Sequence, residues 1–135
     1  MTARLPGVGC GAAIVHDGRL LLVKRVKAPE AGSWNLPGGK VDFGERVEDA
    51  VRREIAEEID VAIEILRPLG LTEMIGLDDQ HWISPVYLAR IVSGEPRNRE
   101  PTKHEAILWA DINAPPAPLA LAARDAIAAL KELRI

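Results

Sequence analysis

Small and apolar residues run from Gly9 to Val15, break at His16-Asp17-Gly18-Arg19, and resume from Leu20 to Val23. Asp-Gly between two apolar runs is a strong hairpin signal, because both residues tolerate the left-handed backbone of a tight turn. The pattern predicts strands over about Val8–Val15 and Leu20–Lys24. A polar loop follows to Ser33, and Pro37 then holds Leu36 extended ahead of Gly38-Gly39. From Val47 the period changes from two to that of a helix: Val47, Val51, Ile55 and Ile59 step along one side. That helix opens at Gly44-Glu45 and runs to about Ile59. Val61–Leu66 alternates as a strand, Pro68 and Gly70 interrupt it, and Leu71–Ile75 is a further strand. A loop at Gly76–Gln80 leads to the clearest later strand, His81–Val92, where Pro85 points to an edge or a bulge. After the turn at Ser93–Pro96 and a loop to Lys103, Glu105–Ala110 is a short strand. Pro118–Leu133 is an amphipathic helix with Leu121, Ala122, Ile127 and Leu130 toward the core. Strands on both sides of two helices predict an α/β fold, a mixed sheet sandwiched by helices in one domain over residues 1–135.

The first helix carries an anomaly. On a helical wheel Glu58 falls between Val47 and Val51, inside the apolar stripe, and Glu54 lies at its edge beside Ala50. Glu57 follows a turn away. An unpaired charge on a buried face costs several kcal/mol, and Glu54 and Glu58, four apart, repel one another. A divalent cation offsets both, and carboxylate oxygens suit Mg2+ or Mn2+. The alternative is a solvated acidic helix held by pairs such as Asp49–Arg53 and Arg53–Glu57; the position of Glu58 argues against it.

Charge and composition narrow the picture. From Lys40 to Asp60 there are eight acids against four bases, so this stretch is net −4 in a chain of net −3 and the remainder is about neutral. Such a balance offers no general attraction for nucleic-acid polymers or anionic membranes. The single cysteine, Cys10, sits in an apolar run and reads as a small core residue rather than a reactive thiol. With no signal peptide, no bilayer-length apolar run and no internal disulfide, a reducing cytoplasm is expected.

The stretch Gly39 to Val61 resembles the Nudix box of the Nudix hydrolases. Gly39, Glu45, Arg53, Glu54, Ile55, Glu57, Glu58 and Val61 all fall in register with it, over 23 of 135 residues. The one departure is Asp60, where the family has a glycine just past the helix. Asp visits the left-handed backbone more readily than most residues, and it matches no metal-ligand position, so the chemistry should survive. The resemblance implies an α/β/α sandwich with a mixed sheet, and hydrolysis of a nucleoside diphosphate linked to another moiety. It implies Glu54, Glu57, Glu58 and the Gly39 carbonyl as metal ligands for Mg2+ or Mn2+. Arg53 is expected to orient Glu57 or Glu54 rather than touch substrate. A Glu-containing strand ending in Trp109 is similar to one that carries a further ligand or base in many members; Glu105 is the candidate, Glu100 the second choice.

Arg25 and Lys40 are candidates for the distal phosphates, although a surface ion pair serves Arg25 equally. Trp34 and Trp82 are candidates for meeting a base, with core packing the alternative for each. The segment Glu95–Lys103 reads as a solvated loop, yet it is similar to a subgroup acting on nucleoside triphosphates, oxidised ones included. The expected partner is therefore a small nucleotide, not a polymer or a membrane. Dimers are common in the family, and nothing in the sequence identifies an interface. Three functions are weighed. The first is a triphosphate pyrophosphohydrolase giving a monophosphate and pyrophosphate. The second is a hydrolase of ADP-ribose or a nucleotide sugar. The third is a non-catalytic nucleotide sensor, which degraded box carboxylates would favour; none of the three is degraded.

Overall fold

The computed structural model describes residues 4–134. The strands are β1 (Gly7–His16), β2 (Arg19–Arg25), β3 (Trp34–Asn35), β4 (Gly38–Lys40), β5 (Ala62–Ile75), β6 (His81–Ser93) and β7 (His104–Asp111). The helices are α1 (Val47–Ile59) and α2 (Leu121–Glu132). The hairpin signal holds: Asp17 and Gly18 both have positive φ, and Val15 pairs with Leu20.

One seven-stranded sheet runs β3-β2-β1-β6-β5, with β4 added to β1 and β7 to β2. Among the described strands β1 and β6 pair in parallel and the other strand pairs are antiparallel, so the sheet is mixed. β1 is shared between two neighbours on one side. β2 meets only its end, at Val15 and His16, while β4 meets Gly9–Gly11. The two halves of the sheet part between those contacts.

Alternation along the central strands sends side chains to two cores. Cys10, Ala12, Ile14, Leu21 and Val23 pack with Ala50, Val51, Ile55 and Ile59 of α1. Ala13, Leu20 and Leu22 pack with Ala123, Ala126, Ile127 and Leu130 of α2 on the opposite face. Helices thus cover both faces, as an α/β/α sandwich requires. Among the described residues no helix is long and apolar enough to cross a membrane.

Four expectations are corrected. The strands at 61–66 and 71–75 are one long strand, β5, because register shifts at Ile65/Arg67 and Pro68/Gly70 absorb the proline and glycine. β6 is interior rather than an edge. Its ladder to β1 passes from Ile83 to Val86 without pairing Ser84 or Pro85, so the missing N–H falls in a gap. In α2 the buried residues are Ala123, Ala126, Ile127 and Leu130, with Ala122 packed half-buried against them as expected, while Leu121 borders a cleft instead. The segment from Glu95 to Lys103 is more than a solvated loop. The Arg97 and Arg99 amides donate to the Ile59 and Glu58 carbonyls at 3.0 and 2.9 Å, capping the end of α1.

Candidate active site

Gly38 and Gly39 of β4 lie so close to β1 and to α1 respectively that neither has room for a side chain. A Cβ at Gly38 would overlap the Cys10 carbonyl, and one at Gly39 would overlap the Glu54 carboxylate. This is the physical content of the glycine pair: Gly38 lets the backbone lie against β1, and Gly39 lets it lie against Glu54 of α1.

The acids are held by two bases. Arg53 reaches Glu45 with both ends of its fork, Nε to Oε2 at 2.7 Å and one terminal nitrogen to Oε1 at 2.9 Å. Its other terminal nitrogen lies 2.9 Å from Glu54 and 3.4 Å from Glu57, and the Lys40 carbonyl accepts a bond at 3.1 Å. A planar, multidentate donor is what such a cluster needs. The bond from Arg53 pulls the Glu45 carboxyl down to about 2, while Glu45 pushes the guanidinium up. Glu45 matched the box, but its partnership with Arg53, eight residues on, was not read from the sequence.

Glu58 is 2% exposed, as its place in the apolar stripe required. Its Oε1 accepts from the Gly38 amide at 2.9 Å, and its Oε2 lies 3.0 Å from Nε2 of His104, itself 5% exposed. Burial pushes the carboxyl of Glu58 up, and His104 and Gly38 pull it back. Glu54 is also pushed up by burial, with Arg53 opposing.

His104 was missed, and the reason is a bulge. β7 pairs with β2 as Leu21↔Trp109, Val23↔Ile107 and Lys24↔Ala106, and then Arg25↔His104, skipping Glu105. Directly opposed residues share a face. Strict alternation would set Glu105 opposite Arg25 on the α1 side; the bulge sets His104 there instead. Glu105 turns away and lies 3.2 Å from Lys24, with no hydrogen bond or ion pair to the box acids among the described residues. Glu100 stands nearer the cluster. It holds Lys103 at 2.8 Å, and Lys103 is pushed up first by Glu100 and further by Glu54 and Glu58.

A cleft of about 240 Å³ opens beside the Gly-Gly turn. Arg25, Lys40 and Trp82 line it, with Asn35, Leu36, Thr72 and Met74. Arg25 is pulled below its usual range by burial, against Glu30 and Glu58, and its Nε donates to the Pro29 carbonyl at 2.7 Å. The Trp82 indole donates to Gln80 at 2.7 Å. Trp34 is not among the lining residues; it packs against the α2-side core, with Lys24 Nζ 5.9 Å from its ring centre.

The donor set fits a hard divalent cation: three carboxylates and a backbone carbonyl, two of the acids desolvated and in need of positive charge. In the arrangement described, the Arg53 guanidinium supplies that charge beside Glu54, and His104 Nε2 lies within hydrogen-bond reach of Glu58. Among the described residues no three acidic, histidine or cysteine side chains converge closely enough to hold an ion as they stand.

Comparison with known proteins agrees with the geometry. The chain is 38% identical over 91 residues to a protein of Methanocaldococcus jannaschii named ADP-ribose pyrophosphatase, covering 67% of this chain and 54% of that one. It is 35% identical over 105 residues to the oxidized purine nucleoside triphosphate hydrolase of Danio rerio, covering 74% and 63%. The matched stretches thus span roughly half to two thirds of those relatives' lengths. The crystal structure of a MutT NUDIX hydrolase from Burkholderia pseudomallei superposes with a TM-score of 0.90 at 52% identity, covering 94% of this chain and 99% of that one. The model of the NUDIX domain matches residues 4–130, and with the glycine turn and the acidic face of α1 this places the chain in the Nudix hydrolase family.

Proposed function

We propose that the chain hydrolyses a phosphoanhydride bond of a nucleoside triphosphate, releasing a nucleoside monophosphate and pyrophosphate. Oxidised and other non-canonical triphosphates are the first class to test. The observation that carries this reading is Glu58, a buried carboxylate set beside Glu54 at the Gly-Gly turn, where the cleft that holds Arg25 and Lys40 opens. The name of the Danio rerio relative supports the substrate class.

When bound, Mg2+ or Mn2+ held by Glu54, Glu57, Glu58 and the Gly39 carbonyl supplies positive charge against the pyrophosphate and acidifies water. The rest falls to the protein. Arg25 and Lys40 bind and orient the phosphates. Water's oxygen bonds to phosphorus, the bridging P–O bond breaks with its electron pair on pyrophosphate, and a proton passes to a base. We assign that proton to Glu54, whose carboxylate lies against Gly39 at the edge of the cleft; Glu100 is the reserve. Arg53 touches no substrate in this scheme and keeps Glu45, Glu54 and Glu57 in place.

A second reading, hydrolysis of ADP-ribose or a nucleotide sugar, is favoured by the name of the Methanocaldococcus jannaschii relative. Release of pyrophosphate and of phosphate is measured with Mg2+ over canonical and oxidised triphosphates, ADP-ribose and sugar nucleotides, with Glu58→Gln alongside. Preferential triphosphate turnover, lost in the variant, is expected. Turnover confined to ADP-ribose or the sugars moves the assignment to the second reading. Tight binding with no turnover of any of them makes the chain a sensor.

A further inference from the structure

We propose that His104 is a positioning residue that fixes the Glu58 carboxylate in its ligand orientation. The inference rests on the reading of Glu58 as a cation ligand and assigns the chain a further part of that site. Glu58 presents two carboxylate oxygens at the site. Each has one donor: the Gly38 amide at 2.9 Å on Oε1 and His104 Nε2 at 3.0 Å on Oε2. Two donors on two oxygens stop rotation about the last torsion of the side chain. One further lone-pair direction on each oxygen remains for a cation.

His104 is itself held tightly. Its amide donates to the Glu100 carbonyl at 2.9 Å, and its carbonyl accepts from Asn98 Nδ2 at 2.7 Å. The β7 bulge opposite Lys24/Arg25 is what turns the ring toward α1. A bulge that costs a ladder position and re-aims a single side chain is typical of strands beside functional sites.

Packing alone does not account for this ring. Its Nδ1 is buried and has no hydrogen-bond partner, so its polar contact is with Glu58 alone. An apolar side chain of similar size would fill the space and leave no orphaned nitrogen. The imidazole therefore makes sense through the bond it gives to Glu58. Donors of this kind, one bond removed from a metal, set the orientation of the ligand and its affinity.

The test compares His104→Leu, which keeps bulk and loses the donor, with His104→Gln, which keeps an N–H donor. Binding of Mn2+ alone is followed by the paramagnetic resonance of the free ion, with melting curves to confirm folding, and Glu58→Gln is run as a control. His104→Leu should weaken Mn2+ binding about 10-fold or more, and the Mg2+ concentration for half-maximal turnover should rise in step. His104→Gln should recover most of the loss. If His104→Leu does not fold, His104→Phe keeps a flat ring without the donor and takes its place. Wild-type Mn2+ affinity in the donorless variant, or a glutamine no better than it, overturns the positioning role. Wild-type affinity in Glu58→Gln overturns instead the reading of Glu58 as a ligand.

Discussion

The two helices cover opposite faces of one sheet and fill their buried positions differently. α2 buries Ala123, Ala126, Ile127 and Leu130. α1 buries Ala50, Val51, Ile55 and Ile59, and among them Glu58. A leucine at such a position contributes about 1.5–3 kcal/mol of burial. A carboxylate there must instead be compensated, and α1 recruits the Gly38 amide, His104 and the guanidinium of Arg53 around its acids. Among the described residues α2 buries no charged side chain. The comparison separates a face that stabilises from a face that carries compensated charge, the one we propose for the chemistry.

The sharpest way to break this contrast is to change one buried residue on each helix. Glu58→Gln keeps the size of the side chain and should lower kcat about 100-fold or more, with the protein still folded by circular dichroism. Leu130→Ala should do the reverse, costing about 2–5 kcal/mol in denaturant unfolding while kcat per folded molecule stays at the wild-type value. If Glu58→Gln mainly unfolded the protein and left turnover intact, the two helices would be alike and α1 would lose its claim to the site.

Arg53→Lys is the next step down. Lysine retains the charge but cannot present two parallel N–H groups to Glu45 while reaching Glu54 and Glu57. Turnover should fall about 10-fold or more, with a higher Mg2+ requirement and little change in the nucleotide concentration for half-maximal rate. An equal loss in apparent substrate affinity would instead make Arg53 a phosphate ligand.

The contrast between the helices also shows what was legible in the chain. Helical period exposed both amphipathic faces, and Glu58 could be placed inside the stripe because a wheel needs only spacing. The sandwich and its mixed sheet followed from strand and helix order together with the box. His104 escaped because its role depends on a bulge across from Arg25, and bulges carry no fixed sequence mark. The same bulge moved Glu105 out to Lys24. Trp34, flagged for its ring, packs beside α2, since an indole looks the same in a sequence whether it meets a ligand or a core. The Arg97–Asp60–Arg99 group escaped for a related reason: its members lie 37 and 39 residues apart.

That group gives the smallest expected effect and bears on the ends of the helices. α2 stops at Leu133 in a right-handed conformation, with Lys131 in its last turn to complement the dipole. α1 has no base in its last turn and ends on Asp60 in the left-handed conformation, φ 60° and ψ 40°. The negative charge that should be unfavourable there is answered by Arg97 and Arg99 from the segment ahead of β7. These arginines, Arg97 first, hold the Asp60 carboxyl below its usual value of 3.8. A carboxyl lowered in the folded state contributes stability that is present above its unfolded pKa and is lost as pH falls through the folded one. Asp60→Gly retains a left-handed end and removes the ion pairs. The stability difference between wild type and variant should therefore be level near neutral pH and shift against wild type as pH drops below about 4. It should shrink in high salt, because all three side chains are partly exposed. Urea unfolding of both proteins across pH and NaCl concentration measures this directly. A difference that ignores both would leave Asp60 with a backbone role alone, and the two helix ends would differ in conformation but not in electrostatics.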